Sequence, residues 1–208
     1  MGTRSAVIMI EKKEAKGYYN QYDGYPDGLG EEVIEELIAI DKVKDGWKTF
    51  KKNVAKVKLV DEDKKPAKTV QEKYKKFFNN NVSTGSPEEW YALLRELQGA
   101  KYIPAIMTGE VEHMCDGTEF VKFSLFCEYA YVIDLDRMVM EFYKGFQTKS
   151  QKGNRFGTKK AEGEDTYFPC AKIGEIALEG ISKDELAIKT MMDAYERANA
   201  ERELQENN

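Results

Sequence analysis

Residues 17–30, GYYNQYDGYPDGLG, form the stretch around which the rest of the chain is arranged. Three tyrosines precede an Asp-Gly-Tyr-Pro turn (residues 23–26, here called the DGYP corner), and two more glycines lead to a helix predicted to begin at Glu31. Asp and Gly favour tight turns, and Pro26 fixes its own φ angle and restrains Tyr25 to an extended conformation. The stretch therefore predicts a rigid corner that carries a carboxylate and several phenol rings.

The size and composition of the chain predict one folded domain. Its 208 residues are 41% hydrophobic and 12% aromatic, which suffices to bury a sizeable core. The net charge of −5 argues against a general binder of nucleic acids or anionic membranes. No run of about 18 apolar residues occurs, and the N-terminal residues lack the length and flanks of a secretory signal. A cytoplasmic setting without a membrane partner is expected.

The cysteines and the single histidine predict neither disulfides nor a metal site. Cys115, Cys127 and Cys170 are odd in number and far apart, which is typical of reduced thiols. His113 and Cys115 could share one side of a strand, but two ligands are too few without recruited carboxylates. We expect no metal, and the lack of a phosphate-binding or dinucleotide-binding glycine motif leads us to expect no cofactor.

The hydrophobic periodicity predicts an α+β fold, with an antiparallel sheet covered by helices, over residues 1–208. The strongest strand signal is residues 119–135, in which alternate residues from Cys127 to Leu135 share one face. The predicted strands are residues 4–10, 16–22, 119–135, 138–143 and 173–178, and the predicted helices begin near residues 31, 47, 69, 87 and 182. The helix at 87–98 has Ser86 as its expected N-cap.

Residues 42–82 are predicted to form a helical insertion rich in lysine. Such a run of lysines is most simply a solvated face. If the lysines align on one side, the segment could instead contact nucleic acid or an acidic protein. Nucleic acid therefore stays open as a partner only through this insertion.

A polar pocket is predicted where the first strand, the DGYP corner and the strand at 119–135 meet. A buried Arg4 would need a carboxylate partner, and Asp23 is the natural candidate. Glu128 lies on a face with apolar neighbours, so it also needs a donor. The candidate pocket residues are Arg4, Asp23, Tyr25, Glu128 and Tyr131. The alternative is a structural ion pair that sets the register of the first hairpin.

Residues 145–165 contain many glycines and lysines and predict a mobile basic loop. A disordered connector is the simplest interpretation. The alternative is a lid that closes over a phosphate-bearing ligand, since this loop is the best local anion-binding element of the chain. The candidate binding residues of the loop are Lys149, Lys152, Arg155, Lys159 and Lys160.

Three segments of the chain together resemble a known group of proteins. They are MGTRSAVIMI at residues 1–10, YNQYDGYPDGLGEEV at 19–33 and CEYAYVIDLDRMVMEFYKG at 127–145. The group is found in bacteriophages, prophages and bacteria, and its members begin with MGTRS and carry a DGYP corner and an EYxYxIDLD hairpin. The matching positions are residues 2–5, residues 23–26, Gly30, Glu128, Tyr129, Tyr131, Asp134 and Asp136.

The resemblance covers about a quarter of the chain and implies an origin in a mobile element, because the group has no settled activity. Members often carry a tryptophan immediately before the DGYP corner, where this chain has Tyr22. The ring is kept and the indole N–H is lost. The central region has no counterpart in the group.

The familiar catalytic motifs are missing from the sequence. It has no P-loop, GxGxxG, HExxH or GxSxG motif, and its single histidine has no evident serine and aspartate partners. Removal of Met1 would expose Gly2, which has no side-chain nucleophile. The chain is therefore more plausibly a binding protein than an enzyme.

Two hypotheses about function remain, beside a purely structural domain. The first is a non-enzymatic binding protein of phage or mobile-element origin that inhibits a host antiviral defence, by binding a host protein or by sequestering a nucleotide. The second is a small hydrolase or ligand-processing enzyme that uses Glu128, Asp23 and Arg4 as acid, base and anion anchor.

Overall fold

The computed structural model describes residues 2–62, 64–79 and 85–206. Met1 and parts of the predicted insertion at 42–82 lie outside these residues. The strands are β1 (Ser5–Glu11), β2 (Glu14–Asn20), β3 (Lys58–Val60), β4 (His113–Cys115), β5 (Tyr129–Asp134), β6 (Val139–Lys144) and β7 (Ala171–Ala177). The α-helices are α1 (Glu31–Lys42), α2 (Gly46–Val54), α3 (Lys68–Tyr74), α4 (Trp90–Leu93), α5 (Tyr102–Met107) and α6 (Ala187–Glu206).

The first two strands form the predicted hairpin. β1 and β2 pair antiparallel from Ser5 opposite Asn20 to Glu11 opposite Glu14. Lys12 and Lys13 in the turn both have positive φ angles, of 54° and 64°. Their backbone N–H groups donate to the carboxylate of Asp136 at 2.8 and 2.7 Å. The loop that joins β5 to β6 thus stabilises the turn, because the Asp136 carboxylate accepts both exposed N–H groups of the turn.

The main sheet has five strands in the order β2-β1-β5-β6-β7, so the α+β fold is confirmed. Three of its four strand pairs are antiparallel, as predicted for the whole sheet. The pair β1–β5 is parallel. Five of the six α-helices, α1 to α5, lie between β2 and β5 in the chain. A connection of this length allows β5 to enter the sheet beside β1 in the same direction. The sheet is therefore mixed.

The predicted strand at 119–135 is shorter than expected and begins only at Tyr129. Thr118–Lys122 form a 3-10 helix instead. The carbonyl of Ser124 accepts the N–H of Phe146 at 2.7 Å, and its hydroxyl accepts the N–H of Gln147 at 3.1 Å. These bonds join residue 124 to the segment after β6 and divert the chain from the sheet ladder.

The two faces of the main sheet are covered unequally. The larger core joins Val7, Tyr131 and Ile133 to the helices, and Val33, Ile34 and Leu37 of α1 are fully buried in it. The opposite face carries Ala6, Ile8, Ala130 and Val132, under the 3-10 helix and Phe156. The predicted alternation of side chains is therefore confirmed from Tyr129 to Leu135. For Cys127, which precedes the strand, it is wrong, because Cys127 packs in the cluster on the opposite face.

The lysine-rich segment at 42–82 contributes to the main core. Phe50, Val54 and Tyr74 are fully buried and belong to the same cluster as the strands of the main sheet. The segment also contains β3, which pairs in parallel with β4 in a small second sheet. Its helices α2 and α3 are consistent with the predicted helical character, and its exposed lysines include Lys48 and Lys52.

The helix predicted at 87–98 is broken. The hydroxyl of Ser86 accepts the N–H of Glu88 at 3.2 Å, but this bond lies in a turn before the helix. The helix α4 covers only Trp90–Leu93 and its N-cap is Glu89, so the predicted N-cap at Ser86 is wrong. A 3-10 turn follows at Arg95–Leu97. Just after the predicted helix, the N–H of Gly99 donates to the side chain of Asn20 at 3.0 Å, which ties this end of the segment to β2.

Candidate functional site

The DGYP corner is fastened to the main sheet through its backbone. The N–H of Gly24 donates to the carbonyl of Thr3 at 3.0 Å, and the Tyr131 hydroxyl donates to the carbonyl of Gly24, also at 3.0 Å. A Cβ atom on Gly24 would lie 2.5 Å from the hydroxyl of Ser5, so a side chain has no room there. Asp23 has a positive φ of 54°. The corner is therefore close to both β1 and β5.

The predicted pocket residues are neighbours in the backbone but do not form a polar cluster. The N–H of Glu128 donates to the carbonyl of Arg4 at 3.1 Å, which continues the β1–β5 pairing. Among the ion pairs of the described residues, none includes Arg4, Asp23 or Glu128. The Arg4 guanidinium instead lies 5.0 Å from the ring centre of Phe126.

The two tyrosines of the predicted pocket have different environments. Tyr131 is fully buried, and burial raises its pKa well above the ordinary value. Its hydroxyl is used to hold the corner. Tyr25 is 45% exposed, with its ring centre 6.1 Å from that of Tyr129. Tyr131 thus has a structural role, and only Tyr25 faces solvent.

The five candidate residues of the predicted basic loop lie in four different environments. The Arg155 guanidinium pairs with Asp134 at 2.5 Å and with Glu141 at 3.1 Å, so its charge is already matched by two buried carboxylates. Lys159 and Lys160 border an open depression beside Phe156. Lys152 is exposed. Only Lys149 borders the cavity described next.

The loop is hydrogen-bonded along β7, although it was predicted to be mobile. The side-chain amide of Gln151 donates to the carbonyl of Lys172 at 2.7 Å and accepts its N–H at 2.9 Å. The amide of Asn154 donates to the carbonyl of Cys170 at 2.9 Å. Two side chains of the loop thus take the place of a neighbouring strand at the outer edge of the sheet.

A cavity of about 410 Å³ lies between the end of β6, the first part of the loop, the start of β7 and α6. We call it the basic cavity, since five cations line it against one carboxylate, Glu201. The cations are Lys144, Lys149, Lys172, Arg197 and Arg202. Lys172 is neutralised by Glu141 and Glu175, at 2.9 and 2.5 Å. The excess of positive charge therefore comes chiefly from Lys144, Lys149 and Arg197.

Lys144 is the least expected member of this group. It is the last residue of β6 and is only 5% exposed, and its Nζ lies 4.0 Å from the ring centre of Tyr129. No carboxylate of the described residues lies within ion-pair distance of it. Burial, followed by the positive charge of Arg202, lowers the pKa of Lys144 to about 8.

Phe146 forms an aromatic wall of the basic cavity. Its φ angle of 58° is in the left-handed region, which bulky residues rarely adopt, and its N–H is tied to the carbonyl of Ser124. The Arg202 guanidinium lies 4.9 Å from the ring centre, and the Nζ of Lys144 lies 5.9 Å from it. Two cations are thus held at one ring, and strained backbone of this kind is common where a side chain is aimed at a ligand.

The residues considered for a metal site have other partners. The Nδ1 atom of His113 lies 2.9 Å from the hydroxyl oxygen of Tyr74. The His113 ring stacks on the Trp90 ring, with 5.0 Å between the ring centres. Burial raises the pKa of Cys115 to about 12. Among the described residues no group of three or more potential ligands could hold a metal ion.

Comparison of the chain with protein-family models, with curated proteins and with solved structures finds no match in any of the three. In the part of the chain that the structure describes, no helix is both long and apolar enough to cross a bilayer. The resemblance to phage and prophage proteins remains a prediction.

Most residues of the basic cavity carry no signal in the sequence that marks them as a site. Lys144 ends an apolar strand, and in the sequence it resembles an ordinary solvated end residue. Arg197 and Arg202 belong to a helix more than fifty residues further on. The one local signal is a pair of small residues one helical turn apart, Ala194 and Ala198. Small residues allow α6 to lie close to β7, and a Cβ atom on Gly174 would be only 3.2 Å from that of Ala194. That signal indicates close packing and carries no information on charge.

Proposed function

We propose that this chain is a non-enzymatic binding protein that sequesters a phosphate-bearing, nucleotide-type ligand in the basic cavity. The observation that carries the proposal is Lys144, a residue only 5% exposed that lines the cavity without a carboxylate partner among the described residues. Burying an unpaired cation is unfavourable. An anion in the cavity would supply the missing partner.

The surroundings of Lys144 favour an anion with several charges. Lys149, Arg197 and Arg202 lie around the same cavity, and Glu201 is its only acidic lining residue among those described. Charge-assisted hydrogen bonds from arginine and lysine are the usual means of holding phosphate oxygens. Gln147, Ser150 and Gln151 add neutral polar groups to the lining. This combination suits a phosphate group better than a single carboxylate.

The aromatic wall favours a ligand that also has a flat ring. Stacking of a base on an aromatic side chain is worth about 1–3 kcal/mol. Phe146 is partly exposed at the cavity, and its ring already attracts two cations. A nucleotide would place its base near Phe146 and its phosphate among the cations. In a phage or mobile element, as the sequence resemblance implies, capture of a signal nucleotide would inhibit a host antiviral defence.

The enzyme hypothesis has less support. It required Arg4, Asp23 and Glu128 to act as anion anchor, base and acid, but these side chains form no ion pair with one another. We therefore do not propose a hydrolase at the DGYP corner. Binding of a host protein remains a prediction that no contact of the described residues supports.

The test is isothermal titration calorimetry with ATP, AMP, inorganic phosphate and adenosine. We expect ATP or AMP to bind with a Kd of about 100 µM or tighter, inorganic phosphate to bind more weakly, and adenosine not to bind measurably. The affinity should fall at high salt, because the contacts are between charges. Mass spectrometry should recover the nucleotide unchanged, since turnover would contradict a non-enzymatic role.

Charge reversal provides the control. The double variant Lys149→Glu, Arg197→Glu alters the cavity, whereas Lys159→Glu, Lys160→Glu alters the same number of lysine or arginine charges outside it. We expect the first variant to weaken binding at least about tenfold and the second to leave it within about twofold. Equal weakening by both variants would mean that only the overall charge matters, and the proposal would then be wrong.

A further inference from the structure

The amine of Lys144 combines three properties that are rarely found together on a protein surface. Its residue is only 5% exposed, it has no carboxylate partner among the described residues, and it belongs to a side chain that lines a cavity open to solvent. A lysine in such a site loses part of its preference for the charged form, and this is how proteins prepare lysines for reaction with carbonyl groups. Exposed lysines of the loop, such as Lys152, have no such environment.

The charged groups around Lys144 come from every element packed against it. Glu128, beside β5, favours the charged amine, and Arg202 of α6 opposes it. The other titratable groups that line the cavity or adjoin the amine are Lys149, Lys172, Cys170, Arg197 and Glu201. Burial has the largest effect and lowers the pKa of Lys144 to about 8. At pH 7.5 about a quarter of the Lys144 side chains are then neutral, against about one in a thousand for an ordinary lysine.

We propose that Lys144 captures a phosphate-bearing aldehyde covalently, as a reversible imine, inside the basic cavity. The inference rests on the proposed function in one respect, since the same cations would hold the phosphate group. It goes beyond that function because the ligand class is an aldehyde and the product is covalent.

The chemistry requires no further reactant. The neutral amine adds to the aldehyde carbon, the carbonyl oxygen takes up a proton as the nitrogen releases one, and a carbinolamine forms. Loss of one water molecule gives the C=N bond, so amine and aldehyde become imine and water with no change in oxidation state. The Nζ atom of Lys144 lies 4.0 Å from the ring centre of Tyr129 and 5.9 Å from that of Phe146. These two rings limit the access of water to the imine from the side on which they lie.

The experiment uses pyridoxal 5′-phosphate as the probe on the full chain, followed by borohydride reduction and peptide mass spectrometry. We expect Lys144 to be modified at least about ten times more than Lys149 or Lys152. Pyridoxal, which lacks the phosphate, should modify Lys144 at least about ten times less. Excess inorganic phosphate should suppress the reaction of Lys144 with the phosphorylated probe.

Two variants of Lys144 and one control keep the test interpretable. Lys144→Arg retains the charge and should abolish modification at this site, and Lys144→Met serves if arginine is too large to fit. The control Lys152→Arg changes an exposed lysine of the same loop outside the cavity and should leave the modification of Lys144 unchanged. Circular dichroism confirms that each variant is folded.

The outcomes separate this inference from the proposed function. Modification spread evenly over exposed lysines would overturn the inference, and so would equal reaction of Lys144 with pyridoxal and its phosphate. If nucleotides bind but Lys144 is not selectively modified, the inference fails and the proposed function stands. If Lys144 is selectively modified by the phosphorylated probe but nucleotides do not bind, the inference stands and nucleotide sequestration fails.

Discussion

At the scale of single residues, the buried amine of Lys144 makes the stability of the fold depend on pH. Burial and Arg202 lower its pKa to about 8 in the folded chain, from an ordinary 10.5. The unfolded chain therefore binds this proton more tightly. Below pH 8 the residue destabilises the fold fully, and the effect disappears as the pH rises from about 8 to 10.5.

The variant Lys144→Met should remove this effect. We expect the free energy of unfolding at pH 7 to rise by about 1–3 kcal/mol, since the lost burial penalty is partly offset by the lost attraction to the Tyr129 ring. The gain should shrink at pH 10. Urea denaturation at the two pH values measures both effects, with the exposed Lys152→Met as the control. A loss of stability at pH 7 would show that the amine is well solvated through the cavity.

At the scale of elements, a cluster of charges joins the loop at 145–165 to β6 and β7. Glu141 of β6 is 2% exposed and accepts bonds from Arg155 of the loop, Lys172 of β7 and Tyr143. Burial tends to raise the pKa of Glu141, but the bonds from Lys172 and Arg155 outweigh it and the pKa is lowered. The ionised carboxylate of Glu141 thus stabilises the fold at pH values above 4.5, the ordinary pKa of a glutamate. This stabilisation is lost as the pH falls from 4.5 through the lower pKa of the folded chain.

The variant Glu141→Gln should loosen the loop and the outer strand together. We expect the free energy of unfolding at pH 7 to fall by about 2–4 kcal/mol, because three cations, Arg137, Arg155 and Lys172, lose a buried partner. The difference from the parent chain should narrow as the pH is lowered below 4.5, the ordinary pKa of a glutamate. The matched control is Glu175→Gln, whose side chain is 38% exposed, and it should lose less than about 1 kcal/mol. Equal losses in both variants would contradict a special role for the buried carboxylate.

The success of sequence prediction for each element depended on which interactions formed it. The β1–β2 hairpin and the alternation from Tyr129 to Leu135 follow from local patterns, and the structure contains both. Residues 119–128 alternate in the same way, but Ser124 among them bonds to the segment after β6. The helix at 87–98 has good helix-forming residues, yet Gly99 bonds to Asn20 of β2. Long-range hydrogen bonds decided these two cases, and a local pattern cannot contain them.

At the scale of the whole molecule, the candidate site could not be predicted because its residues are distant in the sequence. Lys144 and Arg202 meet only because β7 pairs with β6 and α6 packs back over both strands. Lys149 was identified from the basic composition of its loop, but Arg155 in the same loop is paired with buried acids. Composition identified an anion-binding region, and only the packing of α6 selected which cations belong to it.

The whole chain should also unfold as one unit, including the lysine-rich segment at 42–82. Phe50 of α2 is fully buried in the same core as Val33 and Ile133, and α2 packs against α1, α5 and β1. The chain has two tryptophans, of which Trp47 lies in the segment and Trp90 outside it. The variants Trp90→Phe and Trp47→Phe therefore leave one fluorescent reporter in each part.

Urea denaturation of the two single-tryptophan variants should give coincident transitions when fluorescence is compared with circular dichroism of the same variant. Adding Phe50→Ala should lower the free energy of unfolding equally in both single-tryptophan variants, by about 3–5 kcal/mol, because the cavity that it leaves lies in the shared core. Lys52→Ala, an exposed change on the same helix, should shift neither by more than about 0.5 kcal/mol. If Phe50→Ala moved only the Trp47 transition, the segment would be an independent module, and its buried contacts with α1 and β1 would contribute little to the stability of the sheet.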